Sequence, residues 1–131
     1  MKAAKHARPS LPAVSEEMKV WSAALVAEVG GWPQVSARSF FGFTALYRKD
    51  KMFAALPRTR ALETANSLIF RLESPTPEVK ARLEKIAHPW STKKDKARWF
   101  AFEFRSDADM HDALEWLWTA YESVGKKKKP A

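Results

Sequence analysis

The sequence predicts an α+β domain, with a mostly antiparallel sheet of about five strands and helices on one face of that sheet. Helical periodicity occurs near each end of the chain, and short runs of alternating apolar and polar residues lie between. A polar turn joins two of these runs directly and short elements separate the others, which favours antiparallel neighbours. The predicted order is helix, strands, helix, strands, helix.

The first helix is predicted to begin after Ser15, because serine is a preferred N-cap residue. Glu16 and Glu17 follow in the first turn, where carboxylates interact favourably with the helix dipole. Gly30-Gly31 is predicted to end the helix. Its buried stripe consists of apolar residues at spacings of three and four, namely Met18, Trp21, Leu25 and Val29.

A hairpin is predicted next, with strands at Phe41–Tyr47 and Met52–Leu56 and a polar turn at 48–51. Phenylalanine, threonine and tyrosine are frequent in this region, and such residues are typical of strands. A segment around Val35–Ser39 is a candidate for a preceding strand. Alternation of apolar and polar residues predicts a further strand at Leu68–Glu73.

The second helix is predicted to start with Thr76 as its cap and Pro77 at its first position. Pro89 is predicted to stop it. Phenylalanines at every second position then predict a strand at Arg98–Arg105. The last helix is predicted from Asp107 to Gly125, because its apolar residues recur on one helical face.

Basic residues at the two ends of the chain account for most of the net charge of +8. Residues 1–12 hold three of them and no acidic residue, and residues 126–129 are four lysines. Without these seven, 16 basic residues stand against 15 acidic ones, so the central part is close to neutral. We therefore expect a disordered basic arm at 1–14, a single domain at 15–125 and a lysine-rich tail at 126–131.

The sequence predicts no catalytic residue, no metal and no cofactor. The chain contains no cysteine, which excludes disulfides, thiol nucleophiles and cysteine-ligated zinc. It has no glycine-rich phosphate-binding loop and no nucleophilic serine motif. The acid-rich segment 107–112 is explained by a capped helix start, and His88 and His111 lie near helix ends without a recognisable catalytic partner.

Membrane insertion and secretion are not predicted. No apolar run approaches the roughly 18 residues that a membrane-spanning helix needs. Pro9 and Pro12 occur where a secretory signal would have its apolar stretch. We expect no membrane contact and a cytoplasmic location.

Basic loops indicate weak, non-specific nucleic-acid binding as an alternative function. The near-neutral centre of the chain argues against it, because nucleic-acid domains usually carry a strong basic excess. If the four tail lysines each neutralised a phosphate, the log–log salt slope would be roughly −3.6. The candidate contacts are Lys49, Lys51, Arg58, Arg60, Lys93, Lys94, Lys96, Lys126, Lys127, Lys128 and Lys129.

The two faces of the predicted sheet differ in composition. One is expected to pack against the helices and carries Phe41, Phe43, Phe70, Leu72, Phe100, Phe102 and Phe104. The other mixes apolar and charged residues, namely Leu46, Phe53, Ile69, Trp99, Ala101, Arg48, Arg71, Glu73, Glu103 and Arg105. Exposed aromatic residues beside arginine are typical of protein interfaces. We expect this second face either to bind a protein, including a second copy, or to be covered by a loop or tail.

A set of short motifs, in order along the chain, resembles the N-terminal domain of the TfoX/Sxy family of competence regulators. The family typically has an arginine and then Met-Phe-Gly where this chain has Ala37-Arg38-Ser39-Phe40-Phe41-Gly42. A strand, a polar turn and Met-Phe-Ala follow in the family, as in residues 46–54 here. Leu68-Ile69-Phe70-Arg71 resembles the next strand, and residues 114–122 resemble the final helix with its Ala-Tyr-Glu end.

The resemblance covers about residues 15–125. It implies a secretion-chaperone-like arrangement of helices and strands, and a regulatory rather than enzymatic role. It also makes Arg38 a candidate contact residue, because Arg38 lies in the first motif. The complete set of predicted protein-binding residues is Arg38, Arg48, Phe53, Arg71, Trp99 and Arg105, with a homodimer as the expected assembly.

Overall fold

Three helices and six strands make up the part of the chain that the computed structural model describes, residues 14–59, 61, 64–73, 76–89 and 99–125. The helices are α1 (Glu16–Val29), α2 (Pro77–Ile86) and α3 (Met110–Gly125). The strands are β1 (Val35–Phe40), β2 (Phe43–Arg48), β3 (Lys51–Pro57), β4 (Ser67–Arg71), β5 (Ala87–Pro89) and β6 (Trp99–Glu103). A short 3₁₀ turn, Asp107–Asp109, precedes α3.

The strands form one antiparallel sheet in the order β1-β2-β3-β4-β6-β5. The predicted α+β class with an antiparallel sheet is therefore confirmed. The sixth strand is β5, whose three residues the sequence assigns to the end of the second helix. Their backbone instead pairs with β6, with Ala87 opposite Phe102. Pro89 is compatible with this position because β5 lies at the edge of the sheet.

Ser15 fixes the start of α1. Its side-chain oxygen accepts a hydrogen bond from the backbone N–H of Met18 at 3.0 Å, as the predicted N-cap requires. The same hydroxyl donates to the side-chain carbonyl of Asn66 at 2.5 Å, which ties the helix start to the segment before β4. Val14 is buried in the core, so the packed part of the chain includes at least one residue before the predicted domain boundary.

The main core lies between the helices and one face of the sheet. Phe53, Phe70 and Trp116 are among its largest fully buried side chains. Phe70 stacks on Trp116 of α3 with ring centroids 5.3 Å apart, and Trp21 of α1 stacks on Phe104 at 4.9 Å. Burying each such side chain contributes roughly 1.5–3 kcal/mol, so these contacts hold α1 and α3 on the sheet.

Leu46 and Phe53 do not lie on the face that the sequence predicts for them. Both are fully buried in the main core beneath the helices. The register of β2 and β3 shifts between Leu46 and Tyr47, which leaves Phe53 as an extra residue in β3. A bulge of this kind breaks the two-residue alternation, so Phe53 and Ala54 both join the main core.

Phe41 and Phe43 were expected against the helices, and this placement is also wrong. Phe41 lies in the turn between β1 and β2, has φ of 50° and is 77% exposed. Phe41 and Gly42 form a two-residue hairpin loop with Phe40 opposite Phe43. The strand consequently starts at Phe43, whose side chain packs on the opposite face of the sheet.

Candidate contact surface

The face of the sheet opposite the helices is called the open face below. A second apolar cluster lies on it, centred on the buried residues Ala55, Ile69 and Ala101. Ala55 pairs with Ile69 and Ile69 pairs with Ala101, so the three lie in one row across the strands. Among the described residues, strand side chains alone make up this cluster.

Larger, half-buried side chains surround this row. Phe43, Met52 and Trp99 pack against the cluster, and they come from three different strands. Tyr47 lies opposite Met52 and is also half-buried. The open face therefore combines buried aliphatic residues at its centre with half-buried aromatic and methionine side chains around them, a composition typical of the buried part of protein interfaces.

Two exposed charges lie at opposite sides of the open face. Arg38 on β1 is opposite Ala45, and Ala45 is opposite Ala55, which places Arg38 on the row through Ile69 and Ala101. Its guanidinium lies 5.1 Å from the centre of the Tyr47 ring. Glu103 on β6 shares the face with Ala101, two residues before it. Four strand spacings of about 4.8 Å separate β1 from β6, or roughly 19 Å.

Arg71 and Trp99 are directly opposite each other on β4 and β6. Arg71 forms an ion pair with Glu73, and the guanidinium Nε has no hydrogen-bond partner among the described residues. Of the six predicted protein-binding residues, the structure thus brings Arg38, Arg71 and Trp99 onto the open face.

Arg48 lies on the helix side of the sheet. Its guanidinium is 4.1 Å from the centre of the Tyr121 ring, and Nη1 donates a hydrogen bond to the Tyr121 carbonyl at 3.0 Å. A Cβ atom on Gly125 would come within 1.9 Å of the same Nη1. Arg48 therefore binds a carbonyl in the last turn of α3, where a cation is favoured by the helix dipole.

Phe53 and Arg105 also lie away from the open face. Phe53 is fully buried, with its ring 5.8 Å from that of Tyr121. Arg105 follows the end of β6, and its backbone N–H donates to a carboxylate oxygen of Asp109 at 2.7 Å. Arg105 is exposed beside the start of the 3₁₀ turn rather than within the sheet.

The structure does not gather the candidate nucleic-acid contacts that it describes. Lys49 and Lys51 lie at the turn between β2 and β3, whereas Arg58 follows the other end of β3. The seven residues of β3 separate them by roughly 20 Å. Arg58 also donates a hydrogen bond to Ser39 at 2.6 Å. The remaining candidates, Arg60, Lys93, Lys94, Lys96 and Lys126 to Lys129, lie outside the described residues.

A groove on the helix side was not anticipated from the sequence. It lies between α1, α2 and α3 and is lined in part by Trp32, Trp118 and Arg82. One sequence signal could have indicated it, because Trp118 falls outside the apolar stripe of the last helix, which consists of Met110, Leu114, Leu117, Tyr121 and Val124. In the structure the Trp118 side chain is 44% exposed. Trp32 gave no such signal, because it follows the helix in a loop.

Within the described ranges, no group of three or more histidine, aspartate or glutamate residues could hold a metal ion. None of the helices in that part of the chain combines the length and apolar character needed to cross a bilayer.

His111 lies 3.3 Å from a carboxylate oxygen of Glu115, one helical turn away on an exposed surface.

In comparisons with known proteins, no family model, no curated protein and no solved structure matched this chain. The similarity to the TfoX/Sxy N-terminal domain therefore stays a prediction from the motifs.

Proposed function

We propose that this protein is a non-enzymatic binding domain that pairs with a second copy of itself through the open face. The observation that carries the proposal is the set of half-buried apolar side chains around the cluster on that face. Ala55, Ile69 and Ala101 form its centre, and in the described chain no helix packs on it. These three residues have almost no exposed surface of their own, so the contact area comes from the half-buried side chains around them, chiefly Met52 and Trp99.

The charges on the open face suit a second copy. Two copies can stack with their open faces together, related by a two-fold axis that lies between the faces and runs parallel to the strands. In this arrangement the β1 side of each copy lies over the β5–β6 side of the other. This operation brings Arg38 of each copy towards Glu103 of its partner. Such a surface is self-complementary, as a two-fold symmetric interface requires.

A regulatory role in the cytoplasm is part of the same proposal. The resemblance of the motifs to TfoX/Sxy regulators supports it, as does the absence of cysteine from the chain. Contact alone is sufficient for such a role, so the proposal assigns no substrate and no cofactor.

Charge exchange tests the proposed dimer without disturbing the core, because Arg38 and Glu103 are both exposed. Arg38→Glu should oppose two like charges across the interface and raise the dimer dissociation constant at least about tenfold, as measured by sedimentation equilibrium. Glu103→Arg should do the same. The double variant should restore the affinity of the wild type, since it only reverses the direction of the pair.

Lys80→Glu is the matched control, because it changes the net charge equally on the exposed surface of α2. It should leave the dissociation constant within about twofold. A wild-type protein that is monomeric at all measurable concentrations would disprove the proposal. Salt-dependent DNA binding by that monomer, lost on removing residues 126–131, would favour the nucleic-acid alternative instead.

A further inference from the structure

The groove on the helix side is shallow and open to solvent, and its volume falls in the range of small-ligand sites. It has a volume of about 400 Å³ and lies between the end of α1, the residues that follow it, α2 and α3. Ligand sites in proteins usually span roughly 300–1,000 Å³. The groove lies on the opposite side of the sheet from the open face, so it is independent of the proposed dimer.

Two indole rings form a corner in this groove. Trp32 and Trp118 meet edge to face, with ring planes at 85° and centroids 5.0 Å apart. Both rings also contact Tyr121, at 5.2 Å and 5.1 Å. The Tyr121 hydroxyl donates to the carbonyl of Pro33 at 2.9 Å, and Tyr121 is buried. Tyr121 therefore holds both indole rings in place, while the side chain of Trp118 stays partly exposed, so that a ligand can contact it.

Two carboxylates line the groove in the described part of the chain, and they differ in their partners. Glu115 lies 3.7 Å from the guanidinium of Arg82 and 3.3 Å from His111. Arg82 also lies over the Trp116 ring at 4.8 Å, so its charge already has two partners. Glu28, by contrast, lines the groove and has no ion-pair partner among the described residues.

We propose that this groove binds a small organic ammonium cation, with its head group against Trp32 and Trp118 and its charge balanced by Glu28. Perpendicular aromatic faces beside a carboxylate are the chemistry that recognises alkylated ammonium groups, since the negative faces of the rings attract the cation. Arg82 over Trp116 already shows one cation on an indole face beside this groove.

An anionic ligand fits the groove less well. Arg82 is the single lysine or arginine among its described lining residues, and both Glu115 and the Trp116 ring already contact it. Glu28, which has no ion-pair partner among the described residues, would repel an anion. The carboxylate of Glu28 thus favours a cation over an anion.

Choline chloride and its neutral isostere 3,3-dimethylbutan-1-ol separate charge recognition from simple apolar binding. The indole N–H signals of Trp32 and Trp118 in heteronuclear NMR spectra report on the site, with sodium chloride added to keep ionic strength constant. We expect choline to shift both signals and to saturate at millimolar concentration, and the neutral alcohol to bind at least about fivefold more weakly. Equal binding of the two would disprove the proposal.

Two exposed positions give variants that are expected to fold normally. Trp118→Leu removes one wall and should weaken choline binding about fivefold or more, whereas Trp118→Phe keeps an aromatic face and should weaken it less. Glu28→Gln removes the charge and should weaken binding about threefold, while Glu17→Gln, on an exposed part of the same helix, should not. Unchanged affinity in Trp118→Leu would contradict the assignment.

Free trimethylated lysine and a lysine-trimethylated peptide identify where the cation comes from. A site for free small molecules should bind choline and the amino acid with similar affinity. A peptide that binds at least about tenfold more tightly than the amino acid would place the ammonium on a protein side chain. No shift with any of the three cations would overturn the proposal.

Discussion

At the scale of single residues, Arg48 shows how a charged side chain can have a structural role that its sequence context hides. It lies in a run of charged residues at a turn, which is typical of a solvated loop or a contact site. In the folded chain it stacks on the Tyr121 ring and donates to the Tyr121 carbonyl. Because Gly125 has no side chain, the guanidinium of Arg48 can occupy the space next to it.

Arg48→Gln should destabilise the protein by about 1–3 kcal/mol, because it removes a charge-assisted hydrogen bond and a cation–π contact together. Urea denaturation monitored by circular dichroism measures the change. Arg58→Gln is the control, since the Arg58 side chain is exposed and donates a hydrogen bond to an exposed serine, Ser39. It should change stability by less than about 0.5 kcal/mol.

Gly125→Ala should act through Arg48. The added Cβ would come within 1.9 Å of the guanidinium, and the side chain would have to leave the carbonyl that it binds. The double variant Arg48→Gln/Gly125→Ala should therefore lose less stability than the sum of the two single variants. Additive losses in the same urea experiments would show that the two positions do not interact.

At the scale of elements, the connections between strands decide where side chains lie. The turn between β1 and β2 takes Phe41 and Gly42 through positive φ angles of 50° and 90°. The Gly42 carbonyl then accepts hydrogen bonds from the backbone N–H groups of Arg58 and Thr59 at 3.0 and 2.9 Å. One two-residue turn thus holds the start of β2 and the end of β3 together.

Gly42→Ala should destabilise the protein by about 1–2 kcal/mol, because an L-residue at φ of 90° brings its Cβ too close to the backbone. Thermal denaturation should show a lower Tm. Gly31→Ala is the matched control, since a Cβ there would make only an ordinary contact at 3.6 Å with the Glu28 carbonyl. An equal decrease in Tm in both variants would contradict the proposal that Gly42 is needed for the positive φ angle of the turn.

At the scale of the whole molecule, the sheet separates two surfaces. The open face lies on one side, and the groove between the helices lies on the other. The main core fills the space between sheet and helices with fully buried side chains such as Leu56, Leu68 and Leu117. A close-packed core of this kind keeps the two surfaces apart and deforms little.

We therefore expect the two proposed activities to be independent. Saturating choline should leave the dimer dissociation constant within about twofold of its value without ligand, measured by sedimentation equilibrium. Arg38→Glu should likewise leave choline binding unchanged. A larger mutual effect would show that the helices and the open face respond to each other.

The sequence by itself determined the class of the fold and most of its elements. Ser15 caps α1, and the alternation in 68–71 and 99–103 marks strands, because capping and periodicity depend on residues that are close in the chain. Arg71 and Trp99 could likewise be placed on one face, since regular strands keep their two-residue alternation.

The tertiary structure alone decided which side of the sheet received Leu46, Phe53, Phe43 and Arg48. A bulge between β2 and β3 and a turn at Phe41-Gly42 reset the alternation, and neither leaves a clear periodic signal in the sequence. The groove at Trp32 and Trp118 depends on contacts between residues 86 positions apart, which local patterns do not encode. Packing of distant segments, rather than propensity, created both candidate surfaces of this protein.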